Sequence, residues 1–436
     1  MRLESPLPEA LRAERGTALF LYGSGSVGTR RVVVEVDGAP HPVAARGMPR
    51  PDLGGRGGWW ATVPVPARPD GAVVELGVRA GGGAAVRVGE VPVRAVAAPP
   101  PLPRRASLVV CMATYEPDEA LLRAQVESLR AQTEADWVCV VSDDASGPEG
   151  RRALERVLDG DERFVLSLAE RRRGFYRNFE RALALVPADV SWVALCDQDD
   201  RWDPDKLATL RGALAGGAVL AYSDQRLTDR DGRVLRPTLW QGRAPNHADL
   251  LSMLVANAVT GAAALFRREL LDVLLPFPDT PGLQFHDHWL ACAALATGAV
   301  AYLDRPLYDY VQHPGAVFGE VSSGRRGRRR SLPRAAYFLG YLAREVLAQT
   351  LLARAGSAIG AGERATLERF VAAQRSPAAL AWLATAPDRA TTLGSERELV
   401  AGVLWRWAAG ARLARDARFP DPLAFEQRAL RRWRAG

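Results

Sequence analysis

Lysine is almost missing from this chain: among 57 basic residues in 436, Lys206 is the only lysine. A net charge of +7 carried by arginine, in a sequence with 40 glycines and 30 prolines, reads as the bias of a GC-rich genome rather than as a surface selected for phosphate backbones. Nucleic acid is therefore not an expected partner. Cysteine is scarce as well. Cys111, Cys139, Cys196 and Cys292 sit in apolar runs without paired spacing, which argues against a disulfide framework or a zinc site and for reduced core residues in the cytoplasm. No uninterrupted apolar run reaches the roughly twenty residues that span a bilayer. The run Ala256 to Phe266 stops at Arg267-Arg268, and the N-terminus shows no signal-peptide core. Any membrane contact is expected to be peripheral. The one glycine pattern of dinucleotide type, Gly23-Ser24-Gly25-Ser26-Val27-Gly28, leads into the β-type run Thr29 to Val36 and not into a helix, so it reads as a turn.

What the chain does contain is organised in blocks, and its length calls for more than one core. Residues 1–98 are β-rich: Ala18 to Leu21, Arg31 to Val36, Trp59 to Val65, Val73 to Val78 and Val91 to Ala95 are short strands between Gly, Pro and Asp clusters, as in a small sandwich. Trp59-Trp60 could stack on a sugar, but the alternation around them favours core and edge packing. Residues 99–105 are a proline-rich linker. From 106 to 320 strands and helices alternate. Beyond 321 the chain is helical, with Arg325 to Arg330 ahead of the apolar stretch Tyr337 to Leu342; this combination suits either an anionic lipid surface or simple inward packing.

Within the alternating block, buried strands are predicted at Leu108 to Met112, Trp137 to Val141, Phe164 to Leu168 and Val190 to Cys196. Helices follow from Asp118 to about Gln132, through Leu154 to Leu158, and from Gly174. The expected fold class is α/β with a parallel sheet, and polar residues gather at each strand's carboxyl end, where such sheets bind ligands. The fourth strand ends in Asp197-Gln198-Asp199-Asp200. If the extended backbone continues, Asp197 and Asp199 share a face and can hold Mg2+ or Mn2+, and through it a diphosphate. The plainer alternative is an acidic turn in which Asp200 or Asp203 caps the helix after Pro204.

Taken together, several segments resemble family 2 glycosyltransferases of the GT-A fold, nearest the bacterial rhamnosyltransferase-like branch. They are Ala113 to Pro117, Ser142 to Ser146, Arg173-Gly174-Phe175 with Asn178-Phe179, Asp197 to Trp202, Lys206-Leu207, Gly261, His286 to Trp289 and Tyr308 to His313. The resemblance covers about half of the chain and implies a GT-A nucleotide-diphospho-sugar transferase domain, with the β-sandwich-like domain before it and the helical region after it. It implies inverting transfer from a nucleotide-diphosphate sugar donor to a hydroxyl of a glycan or lipid-linked glycan of the cell envelope. Thr114, Tyr115, Glu116, Asp143, Asp144, Gly174, Arg177, Asn178, Gln198, Gly261 and Trp289 would line the donor site, and Asp197 would serve both the donor and the metal. Asp199 and His313 would complete the metal set, and Asp287 would be the base that takes the acceptor proton.

Each role has a plainer counterpart. Asp143 and Asp144 could form a turn, Asp287 could cap the helix expected near Trp289, and His286 and His288 lack a third ligand for zinc. The sequence also departs from the family: Val311 stands at an arginine position and Ala316 at an asparagine position, which removes a bidentate phosphate contact unless an arginine such as Arg325 replaces it. That departure keeps a non-catalytic glycan-binding scaffold in view. A nucleotidyltransferase is the other alternative, but Ala113 to Pro117 lacks its glycine-rich loop.

Overall fold

A computed structural model describes residues 1–25, 31–48, 57–240, 243–282, 284–313 and 334–408. The chain forms two compact units: Ala98–Phe277 with Phe285–Arg329, and Met1–Ala97 with Pro278–Gln284 and Arg330–Gly436.

In the first unit the strands Leu108–Thr114, Trp137–Asp143, Phe164–Leu168 and Trp192–Cys196 run parallel, with Leu108–Thr114 between the second and the fourth. Val109 to Met112 and Val138 to Val141 are fully buried, as strands covered on both faces must be. The helices Glu119–Arg130, Pro148–Leu158 and Phe175–Ala184 connect them. Asp118 caps the first by accepting the N–H groups of Ala120 and Leu121, and Leu122, Val126 and Leu129 form its buried stripe. These elements agree with the sequence expectation. The fourth strand begins at Trp192 instead of Val190, because the Ser191 and Trp192 N–H groups both turn to the Ser107 carbonyl.

Past the acidic tetrad the sheet stops being parallel. Ala264–Arg267 pairs antiparallel with Trp192–Cys196, Leu220–Thr228 pairs antiparallel with Ala264–Arg267, and Val300–Val311 runs parallel to Leu220–Thr228. The short strand Arg201–Trp202 pairs antiparallel with Tyr308 and Asp309. This mixed half brings residues 308–313 back to the tetrad from more than a hundred positions away in sequence.

The second unit is a β-sandwich with a helical cover. One sheet has four strands and the other five, and Leu21, Val34, Trp59, Val63, Leu76 and Val91 meet between them. Trp60 faces the opposite way and stacks on Phe338 at 6.5 Å between ring centroids. Both indoles are buried, so neither is a sugar platform. Phe338 lies on the helix Arg334–Arg354, to which the sandwich is also tied by the Ala18 N–H donating to Thr350 Oγ1 at 3.1 Å. The β-rich start and the helical end, expected as separate regions, share one core, because the outer face of the sheet carries Trp60 and Thr62, which require cover. Phe338, Tyr341, Leu342, Val346 and Leu351 are fully buried, so the apolar side of this helix is not offered to lipid. No described helix is long and apolar enough to cross a membrane. Arg325 to Arg330, and likewise Ser26 to Gly28 of the glycine pattern, lie outside the described residues.

Beneath the helix, Glu345 is fully buried and accepts from Gln349 Nε2 at 3.2 Å and from Gln374 Nε2. Burial pushes its carboxyl up to about 8, with Arg375 and Arg406 pulling the other way. The folded state therefore holds this proton above the ordinary value of 4.5, so stability falls as pH rises from there to about 8. Glu345→Gln is expected to flatten that decline by on the order of 1–3 kcal/mol. Thermal unfolding of both proteins across the window checks it, and equal slopes contradict it.

Candidate active site

After Cys196 the chain bends at Gln198 and Asp199 in place of the extended course expected. The bend turns Gln198 to the loop after the first strand, where its Oε1 accepts the Tyr115 N–H at 2.9 Å and its Nε2 donates to the Tyr115 carbonyl at 3.2 Å. Asp199 Oδ2 lies 2.8 Å from His313 Nε2, so the last strand closes onto the tetrad. Asp200 is fully buried and accepts the Val311 N–H at 3.1 Å. Asp197, directly after the strand, is half-buried. Burial pushes its carboxyl up to about 7, the charges of Asp199 and Asp287 add to the shift, and Lys206 opposes it. The helix after the tetrad starts at Lys206 behind Asp205, and Asp203 is instead held by Arg226, so neither Asp200 nor Asp203 is the cap.

Asp287 comes from the other half of the sheet. Its helix runs His286–Thr297 with Phe285 at the cap position, so the helix opens three residues earlier than expected and Asp287 sits in the first turn. The carboxylate accepts the His288 N–H at 2.7 Å, and the Gly261 backbone and the Asn257 side chain favour its charged form. Burial outweighs these donors and raises it to about 7. Gly261 is glycine for a steric reason: a Cβ there would lie 2.5 Å from His286 Nε2. His286 is buried and stacked on Phe179 at 3.8 Å, and burial lowers it to about 3, so it is a neutral ring that fills space under the Gly261 turn. His288 Nε2 lies 2.8 Å from the Met253 carbonyl.

The proposed donor residues form the opposite wall, and most are bound to one another. Asp143 accepts from Ser146 N–H at 2.8 Å, Ser146 Oγ at 2.5 Å and Thr114 Oγ1 at 3.2 Å. Asp144 takes the N–H groups of Arg173 and Gly174 at 2.7 Å each. Glu116, at a left-handed φ of 42°, accepts the Gly147 N–H at 2.7 Å. Asn178 is buried, with its amide donating to the carbonyls of Thr114 at 3.1 Å and Ser142 at 2.8 Å, which ties the ends of the two central strands together. These side chains therefore shape the wall. Arg177 is drawn away to Glu180 and to the Phe277 carbonyl, 3.0 Å off. Trp289 is a correction: it is fully buried with its indole N–H on the Leu274 carbonyl at 3.0 Å, because its helix packs that side into the core, so it offers no ring face to a sugar. Tyr115 does present its ring to this wall, with the Arg172 guanidinium 3.9 Å from the centroid. Arg172 was not among the expected residues; three successive arginines at a strand's carboxyl end were the available signal.

Lys206 was also missed as a site residue, although its being the sole lysine marks it. It is fully buried, 3.4 Å from the Trp202 ring centroid and 4.4 Å from that of Tyr308, and its Nζ donates to the Ala262 carbonyl. Burial pulls it down to about 7 against Asp200 and Asp197. Val311, at the family's arginine position, is buried at 1% exposure and serves Asp200 through its backbone. Ala316 lies outside the described residues. Among the described residues no three His, Cys, Asp or Glu side chains gather in a ready-made metal cluster.

Four parallel strands joined to a mixed half, with an acidic tetrad at the join, make up the α/β fold expected of a GT-A domain. Residues 109–275 match the model of glycosyl transferase family 2. A curated relative, the uncharacterized protein y4gI of Sinorhizobium fredii, is 34% identical over 119 residues, which is 27% of this chain and 13% of that one. Among solved structures, residues 1–349 of S. aureus TarS in complex with UDP-GlcNAc share 15% identity, with 70% of this chain and 91% of that chain covered and a TM-score of 0.44. The mannosyltransferase PcManGT from Pyrobaculum calidifontis, in complex with GDP-Man and Mn2+, shares 18% identity over 71% and 89%, with a TM-score of 0.37.

Proposed function

We propose that the domain transfers a hexose or deoxyhexose, with inversion, from a nucleotide-diphosphate donor to a hydroxyl of a cell-envelope glycan. The observation that carries this reading is the acidic tetrad at the strand's carboxyl end, clamped by Gln198 to Tyr115 and met by His313 at 2.8 Å from Asp199. Asp197, Asp199 and the His313 imidazole are oxygen and nitrogen donors suited to Mg2+ or Mn2+, and the mutual repulsion of Asp197, Asp199 and Asp287 is what a divalent cation would relieve. When bound, the metal would supply charge stabilisation to the departing nucleoside diphosphate. The protein's own part is positioning and proton transfer: the wall from Thr114 to Asn178 seats the donor, the Gln198–Tyr115 clamp sets the tetrad against it, and Asp287 takes the acceptor proton as the acceptor oxygen bonds the anomeric carbon. A non-catalytic scaffold on the same fold draws support from one feature, the buried Val311 at the position where the resemblance implies an arginine. Calorimetry with UDP-GlcNAc, GDP-mannose and a nucleotide-linked deoxyhexose, each with and without Mn2+, tests the choice. Metal-enhanced binding of one donor, followed by its turnover, is expected; if none of them binds, the sugar-transferase reading fails.

A further inference from the structure

The mixed half of the sheet holds one side chain that touches both carboxylate groups' supports. Lys206 stands at the start of the helix Lys206–Leu214, eight positions beyond Gln198, and its ammonium reaches across to the Ala262 carbonyl in the short turn Gly261–Ala263. Gly261 in that same turn packs on His286, the residue beside Asp287: a Cβ there would lie 2.5 Å from His286 Nε2. We propose that Lys206 is the positioning residue that locks the turn packed under the start of the Asp287 helix to the Trp202 end of the acidic tetrad, so that base and tetrad keep one separation. This inference rests on the reading of the domain as a sugar transferase.

The chemistry of the slot explains why arginine, which fills every other basic position in the chain, does not serve here. The ammonium is a compact point charge that fits between the Trp202 and Tyr308 rings with a third contact to a carbonyl. A guanidinium is planar and forked, and its five donors would need partners in a recess that supplies one carbonyl. A buried cation also requires compensation, which Asp200 and Asp197 provide, so the tie and the tetrad hold each other in place. On the far side, the turn cannot slide to make room, because His286 fills the space over Gly261.

Lys206→Met keeps the length and apolar stem and deletes the donor; Lys206→Arg keeps the charge and changes the shape. Both are expected to hold donor affinity within about threefold while lowering transfer kcat by about 100-fold, since a base displaced by about 1 Å loses that much. In Lys206→Met the amides of Gly261 to Ala263 are expected to exchange with deuterium at least about tenfold faster than in the unmodified protein. Gly261→Ala displaces the same turn from the other side, so the kcat losses of Lys206→Met and Gly261→Ala are expected to be non-additive when combined. Unchanged kcat and unchanged exchange in Lys206→Met overturn the proposal, as does full activity in Lys206→Arg. If Lys206→Met does not fold, additivity between Lys206→Arg and Gly261→Ala overturns it in its place. Should the unmodified chain bind no nucleotide sugar, the transferase reading fails, while the exchange at Gly261 to Ala263 still decides whether Lys206 holds the turn.

Discussion

Asp287→Asn leaves donor binding within about threefold and lowers sugar transfer by about 10²–10⁴-fold, the range of one general base. The amide has nearly the same shape and still accepts the His288 N–H, so the helix start stays in place while the proton acceptor is lost. The same residue is expected to set the acid limb of the pH profile. Burial holds its carboxyl at about 7, so the working carboxylate form grows as pH rises, and kcat/KM is expected to climb up to about pH 7 and then level. Asp197 titrates in the same region for the same reason, so the limb is steeper when no divalent cation is supplied. Initial rates from acid to neutral pH, measured with saturating Mn2+, separate the two. A profile in Asp287→Asn that keeps both its rate and its limb would remove Asp287 from the reaction.

The second large effect is expected at the tetrad. Asp199→Ala should abolish the metal dependence of donor binding, weakening it by about 100-fold or more with Mn2+ present and changing it little without. Asp199 is the tetrad carboxylate that His313 reaches just past the last strand, at 2.8 Å, so its loss also removes that contact. Removing a negative charge beside Asp197 lowers the repulsion there, and a merely structural tetrad would respond with unchanged or improved donor binding. Calorimetric titration of the donor with Mn2+ and with chelator decides it: equal Mn2+ enhancement in Asp199→Ala and the unmodified protein would falsify the ligand assignment.

Much of the first half of the domain was legible because its signals are local. Val109 to Met112 and Val138 to Val141 are uniform apolar runs, Asp118 stands where a helix cap belongs, and polar clusters close each strand, so strand, helix and ligand end can all be read within a dozen residues. The antiparallel half was not legible. Ala264–Arg267 is four residues long, and its place beside Trp192–Cys196 depends on a pairing with no local signature. The same holds for roles: Asp143 and Asn178 look like ligand contacts in sequence, and it takes coordinates to find their polar atoms on Ser146 and on two strand-end carbonyls.

By itself the order of residues determined the chemistry available, namely carboxylates at 197, 199 and 287, an imidazole at 313 and a lone lysine at 206, together with the parallel strands that deliver the first of them. Only the tertiary structure decided which of these meet. A helix start, a three-residue turn and the end of the last strand must converge from positions 206, 261, 287 and 311–313, and such contacts are set by packing across the whole sheet, which no short window of sequence encodes. The same reason joined the two ends of the chain: a sheet face exposing Trp60 needs a partner, and whether that partner is a helix nearly three hundred residues away or a sugar is decided by what packs against it.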